Sequence, residues 1–142
     1  MRHRFPAPKP LSMALQGILL EKHCFTLSKS VKGPCHLEWI GKVLPAPYCE
    51  EYEIMIDYRT DTRNRPRPVV SVLRPLLQKR GGLGCPHRYG EQQPCLYHPP
   101  SNEWNPSMPL AHTIVPWTSR WLYYYEIWLA TGDWHGGGIE HR

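Results

Sequence analysis

The stretch "LEWIGKVLPAPYCEEYEIMIDY", residues 37–58, contains two runs in which large apolar residues alternate with polar or small ones. Successive side chains of a β-strand point to opposite faces, so this alternation predicts strands with one buried face. We predict one strand within residues 35–45 and a second over 52–59. The residues expected on the buried face are Leu37, Trp39, Val43, Tyr52, Ile54, Ile56 and Tyr58. Prolines between the runs predict a turn, which also holds Cys49.

The next segment along the chain, "PVVSVLRP" (68–75), is rich in β-branched residues and is bounded by prolines. It predicts a third strand. Successive strands joined by short polar or proline-rich links favour an antiparallel meander.

Segments with apolar residues at helical spacing lie before and after the predicted sheet in the sequence. Residues 11–29 predict an amphipathic helix, with "KGP" (32–34) as the turn after it. Residues 116–134 predict a second helix that begins near Pro116 and ends at Gly132. The apolar faces expected are Leu11, Leu15, Ile18 and Leu19 in the first helix and Trp117, Trp121, Tyr124 and Trp128 in the second.

This order of elements predicts an α+β fold: an N-terminal helix, an antiparallel meander of three to four strands, a long loop and a C-terminal helix. A chain of 142 residues suits one domain, 1–142, with residues 1–10 and 135–142 as candidate flexible ends.

Composition narrows the class of protein. The net charge of +5 is mild, and basic residues are not interleaved regularly with aromatic ones, so we do not expect nucleic-acid binding. Much of the charge lies in residues 58–68, which we interpret as a solvated loop, with docking of an acidic partner as the alternative. Five cysteines, no signal-peptide pattern and no apolar stretch long enough to span a membrane predict a cytoplasmic protein.

The long loop, "CPHRYGEQQPCLYHPPSNEW" (85–104), holds the reactive residue types. Cys85, His87, Cys95 and His98 together offer four possible zinc ligands, but the Cys-x-His spacing is too tight for the usual zinc knuckle. A hydrolytic cysteine is a second interpretation, with either histidine as the base. We interpret Cys24 and Cys35 as small buried apolar residues rather than as metal ligands. No nucleotide, flavin or metal motif is present, so we expect no cofactor.

The loop and its surroundings resemble the ubiquitin-conjugating enzymes over roughly residues 11–130. That family's signature is His-Pro-Asn, seven residues, then Cys-Leu, with Trp-x-Pro farther on. Here "CPH" (85–87) is followed by seven residues and "CL" (95–96), and "WNP" (104–106) comes later. The segment "HTIVPW" (112–117) is similar to the family's entry into the next helix, and Trp104 is expected to pack beneath the loop.

The resemblance implies that Cys95 carries an acyl group as a thioester. It also puts His87 where the family has an asparagine that supports the loop and stabilises the oxyanion when an amine attacks. An imidazole can also donate a hydrogen bond to an oxyanion, so we expect His87 to take that role.

The wording "CLYHP" (95–99) and the C-terminal segment resemble the bacterial branch of the family, encoded in CBASS antiviral operons beside a cGAS-like nucleotidyltransferase. The resemblance implies that this nucleotidyltransferase supplies the acyl group, that an activating enzyme or other acyl donor charges Cys95, and that a target protein receives the group. The alternative functions are a zinc-stabilised interaction module and a catalytically inactive one.

Overall fold

The computed structural model describes residues 8–63, 67–97 and 103–137, so residues 1–7 and 138–142 of the predicted flexible ends lie outside it. It has the predicted α+β architecture, consistent with the ubiquitin-conjugating fold. The elements are α1 (Met13–His23), β1 (Phe25–Val31), β2 (His36–Val43), β3 (Tyr52–Arg59), β4 (Val69–Arg74), β5 (Arg88–Gly90), β6 (Gln93–Pro94), a 3-10 helix (Leu110–His112) and α2 (Ile114–Thr131).

The four long strands form the predicted antiparallel meander in the order β1-β2-β3-β4. Every residue assigned to the buried face of β2 and β3 is buried. Trp39 pairs with Ile56 across these strands, and its indole lies over Gly41, where any added Cβ would clash with the ring. Glycine at position 41 therefore allows the Trp39 indole, the largest side chain of β2, to lie against the backbone.

The first helix is shorter than predicted, because α1 ends at His23 and Phe25–Val31 is a strand, not helix. Cys24 has an extended backbone, and its N–H caps the helix on the Leu20 carbonyl. Pairing with β2 explains the difference. Thr26 accepts a 2.9 Å hydrogen bond from the indole of Trp39 in β2. The spacing of apolar residues within 11–29 cannot predict this contact with another strand.

The predicted apolar face of α1 is also wrong. Leu15 and Ile18 are exposed, whereas the buried face consists of Met13, Gln16, Gly17 and Leu20. Two features turn the helix this way. A Cβ on Gly17 would lie 2.9 Å from the Lys29 side chain, so glycine allows close approach to β1. The Gln16 amide is fully buried and hydrogen-bonded to backbone beyond the helix.

The second helix agrees with the prediction at its C-terminal end, where Gly132 adopts a left-handed conformation (φ 84°). Of the four residues predicted on its apolar face, Trp121 and Trp128 are buried. Trp117 and Tyr124 are only partly buried, and Tyr125 is buried instead. In the described residues, no helix combines the length and apolar character that a bilayer crossing requires.

Candidate active site around Cys95

The site is built on the β5–β6 hairpin, which is attached to the main sheet through Gln92. The Gln92 carbonyl accepts a 2.8 Å hydrogen bond from the Val72 N–H of β4. Its side-chain amide accepts from the Leu77 N–H at 2.7 Å and donates to the Leu77 carbonyl at 3.3 Å. Three hydrogen bonds through one residue hold the hairpin in a fixed position, although each of its strands is very short.

Cys95 follows β6 directly, and its backbone is held by His87. The Cys95 N–H donates to the His87 carbonyl at 2.8 Å, and the same carbonyl accepts from the indole N–H of Trp121 at 3.1 Å. His87 has φ 59°, the only positive φ of a non-glycine residue in the described ranges. Histidine is among the residues that tolerate this left-handed region. His87 therefore supports the loop through its backbone and ties it to α2.

The thiol of Cys95 is half-buried, and several polar groups lie around its sulfur. The thiol donates to the Tyr97 carbonyl oxygen, 3.4 Å away, and the Tyr89 hydroxyl, which donates to the same oxygen at 3.2 Å, lies within hydrogen-bonding reach of the sulfur. Burial raises the pKa of Cys95 above its ordinary value, while the hydrogen bond from Tyr89 and the charge of Arg67 act against that rise. Glu103 adds to the rise in pKa through its negative charge.

Tyr89 and Arg67 form a pair beside the thiol, and the sequence reasoning did not identify either as a site residue. The Arg67 guanidinium carbon lies 4.4 Å from the centre of the Tyr89 ring, within cation–π range. The two residues help line a shallow pocket that also includes Leu96 and Tyr97. Arg67 belongs to the basic segment interpreted as a solvated or docking loop. Only the fold brings Arg67 next to Tyr89, which is 22 positions later in the sequence.

The imidazole of His87 lies against the indole of Trp134, with 5.3 Å between ring centres and planes at 36°. Trp134 also contacts Trp121 of α2, with 5.5 Å between ring centres. The segment after α2 therefore packs over the tripeptide that precedes the hairpin. The oxyanion role of His87 stays a prediction, because it concerns a bound acyl group.

The four-ligand zinc interpretation gains no support from the described part of the site. Cys85 is 3% exposed, and burial raises the pKa of its thiol to about 12, with Arg88 opposing the rise. Within residues 8–63, 67–97 and 103–137, Cys85, His87 and Cys95 do not bring three ligand atoms together; His98 lies outside these ranges.

The one group of three possible metal ligands in the same ranges is on the sheet: His36, Glu38 and Asp57. His36 Nε2 lies 2.8 Å from a carboxylate oxygen of Asp57 and 3.6 Å from one of Glu38. Lys32 pairs with Glu38 at 3.1 Å. These contacts make an ordinary cross-strand ion-pair network.

The other residues considered in the sequence, Trp104, Cys49, Cys24 and Cys35, lie in the core or in turns of the fold. Trp104 is 2% exposed, donates to the Thr113 hydroxyl at 3.1 Å and packs edge-on against Tyr58, so it is a core residue, as expected. Cys49 lies in the predicted turn, where its N–H donates to the Ala46 carbonyl. Cys24 and Cys35 are partly buried, less than predicted, and all five cysteines are free thiols.

Comparison with known proteins adds one finding. A protein-family model, E2-CBASS, described as type II CBASS E2 protein, matches residues 16–142. The match contains the hairpin, the Cys95 loop and both helices almost entirely. No curated protein matches the chain.

Proposed function

The chain belongs to the type II CBASS E2 family, and from that membership we propose that it accepts a protein C-terminus as a thioester on Cys95 and transfers it to a target. The donor we propose is the C-terminus of a cGAS-like nucleotidyltransferase, delivered by an activating enzyme or another acyl donor. The function is a conjugation step in anti-phage defence.

The position and surroundings of Cys95 support this proposal. Its backbone is fixed by the His87 carbonyl at 2.8 Å, its thiol is only half-buried, and a pocket lined by Arg67 and Tyr89 lies beside it. Cys85, ten positions earlier in the same loop, is buried and strongly held in the thiol form. Of these two cysteines, Cys95 is therefore the suitable nucleophile.

The chemistry requires few groups. Attack by the Cys95 sulfur on a donor thioester forms a new carbon–sulfur bond, breaks the old one, and leaves the donor's thiol with the proton that Cys95 gave up. One thioester replaces another, so no metal or nucleotide is needed at this site. The acyl group then passes to a target nucleophile, Cys95 leaves as a thiolate, and the oxyanion formed on the way needs a hydrogen-bond donor.

We assign the oxyanion-donor role to His87, which takes the place of the family's asparagine. Its carbonyl already holds the backbone of Cys95, so the assignment rests on the position of His87 beside Cys95 in the fold and in the family motif. Movement of the imidazole away from Trp134 would free it for a bound acyl group.

Co-expression with the proposed donor and with the activating enzyme or other acyl donor that delivers its C-terminus tests the function. The chain should form an adduct on a non-reducing gel that dithiothreitol removes. Cys95→Ser should give an adduct that dithiothreitol does not remove, because an oxyester replaces the thioester. Cys95→Ala should give none, and Cys35→Ser, a thiol in the β1–β2 turn, should behave as the unchanged protein. An adduct that persists in Cys95→Ala would contradict the proposal.

A further inference from the structure

We propose that Tyr89 is a catalytic residue, whose hydroxyl donates a hydrogen bond to the Cys95 sulfur whenever that sulfur carries negative charge, and that Arg67 strengthens this donation from the face of the Tyr89 ring. The part of this inference that concerns acyl transfer rests on the proposed function. The part that concerns the charge on the sulfur does not.

The first support is the shared acceptor at the resting site. The Tyr89 hydroxyl lies 3.2 Å from the Tyr97 carbonyl oxygen, and the Cys95 sulfur lies 3.4 Å from the same oxygen. Both groups donate to this carbonyl while the sulfur is protonated. The Tyr89 hydroxyl also lies within hydrogen-bonding reach of the sulfur itself. A thiolate has no hydrogen to donate, so rotation of the hydroxyl hydrogen is enough to redirect it onto the sulfur.

The second support is electrostatic. A half-buried thiolate loses solvation, so the site needs groups that favour the charged form. Among the described residues, the Tyr89 hydroxyl, the Tyr97 backbone and Arg67 favour the thiolate at Cys95, whereas Glu103 opposes it. Arg67 also lies 4.4 Å from the ring centre of Tyr89, where its charge draws electron density from the phenol and makes the hydroxyl a stronger donor.

The same donor serves both halves of a conjugation cycle. When Cys95 is charged, the attacking sulfur is a thiolate; when the acyl group leaves, the sulfur departs as a thiolate. The proton lost in charging ends on the thiol that the donor releases, and nothing is oxidised or reduced. Loss of the Tyr89 hydroxyl should therefore slow charging and transfer alike, whereas loss of an oxyanion donor should slow mainly the transfer.

The test is the pH dependence of Cys95 alkylation by iodoacetamide, followed by mass spectrometry of the Cys95 peptide. Iodoacetamide reacts with the thiolate, so the midpoint of the rate profile reports the ionisation of Cys95. Tyr89→Phe should move the midpoint to higher pH and lower the rate near neutral pH about tenfold to a hundredfold, the effect of one hydrogen bond to a charged group.

Matched variants separate this role from general effects on the fold. Arg67→Gln should shift the midpoint in the same direction, and Arg67→Lys, which keeps the charge, should shift it less. Tyr48→Phe removes an exposed hydroxyl that contacts Tyr123, and Arg63→Gln removes a charge from the same basic segment; neither should change the profile. Unchanged midpoints in both Tyr89→Phe and Arg67→Gln, or equal shifts in the controls, would overturn the inference.

The assay also separates this inference from the proposed function, because it needs no donor protein. A shifted profile in a protein that never forms a Cys95 adduct would sustain the role of Tyr89 in stabilising the thiolate and remove the acyl transfer. An adduct on Cys95 whose formation is insensitive to Tyr89→Phe, together with an unshifted profile, would sustain acyl transfer and remove the role of Tyr89.

Discussion

Two cysteines of one loop have opposite environments. Cys85 is 3% exposed, and its own backbone carbonyl accepts a 2.6 Å hydrogen bond from Arg88. Cys95 is half-buried, with a tyrosine hydroxyl and an arginine nearby. Burial raises the thiol pKa of both residues, but only at Cys95 does a tyrosine hydroxyl oppose that rise together with an arginine. This contrast favours Cys95 over Cys85 as the proposed nucleophile.

The buried Cys85 predicts a pH dependence of stability. Its pKa is about 12 in the folded protein against 9.0 for a free thiol, so above pH 9 the unfolded chain binds fewer protons than the folded one. The contribution of the Cys85 thiol to the free energy of unfolding is therefore fully present below pH 9 and is lost as the pH rises toward 12. Cys85→Ala should reduce the slope in this window by up to about 1.4 kcal/mol per pH unit. Urea unfolding over this pH range measures it, with Cys35→Ser as the control; equal slopes for Cys85→Ala and the unchanged protein would contradict the prediction.

Replacement of His87 tests its proposed part in transfer. His87→Ala should leave charging of Cys95 within about twofold and slow transfer to an amine by about 100-fold, the loss typical of one oxyanion donor. His87→Asn restores the family's residue, which also tolerates the left-handed φ of 59°, and should recover much of the transfer rate. Single-turnover charging and discharge assays separate the two steps. Equal losses in both steps for His87→Ala, without recovery by asparagine, would assign His87 to loop support alone.

At the scale of elements, the strands with alternating burial were predictable and the edge strand was not. β3 shows the regular buried–exposed alternation of a strand with one core face. β1 lies at the edge of the sheet, has no such alternation, and follows directly on α1, so its sequence reads as a continuation of the helix. Its pairing with β2 depends on long-range contacts, and local spacing does not report those.

The orientation of α1 depends on a polar residue rather than on its leucines. The Gln16 amide donates to the Met108 carbonyl at 3.0 Å and accepts from the Leu110 N–H at 2.8 Å, at a fully buried position. It thus fixes the helix to the segment that leads into α2. A residue that makes two buried hydrogen bonds across 92 and 94 positions gives no signal in hydrophobic periodicity.

Gln16→Ala should lower the free energy of unfolding by about 2–3 kcal/mol, because it leaves the part-buried Met108 carbonyl and the buried Leu110 N–H without their partner. Leu15→Ala, on the exposed side of the same helix, should change it by less than about 0.5 kcal/mol. Chemical denaturation of the two variants tests the corrected face of α1. A larger loss from Leu15→Ala than from Gln16→Ala would restore the leucine face predicted from the sequence.

At the scale of the whole molecule, the site is assembled from distant parts of the chain. Arg67 precedes β4, Tyr89 and Cys95 belong to the hairpin region, and Trp121 anchors the loop from α2. The sequence predicted Cys95 because motif spacing is local, and it predicted the α+β order from periodicity. It did not predict the Arg67–Tyr89 pair, because that contact exists only once the meander and the hairpin have packed together.

The central claim is that Cys95 carries a protein C-terminus. Its most direct test is peptide mapping of the chain isolated under acid conditions from cells that also express the proposed nucleotidyltransferase and the activating enzyme or other acyl donor that delivers its C-terminus. We predict a Cys95 peptide whose mass is increased by the C-terminal fragment of that donor, less one water, and which hydroxylamine returns to the free thiol. A Cys95 peptide that remains unmodified under these conditions, while the donor's C-terminus is found on a lysine of the same chain or on another cysteine, would contradict the account.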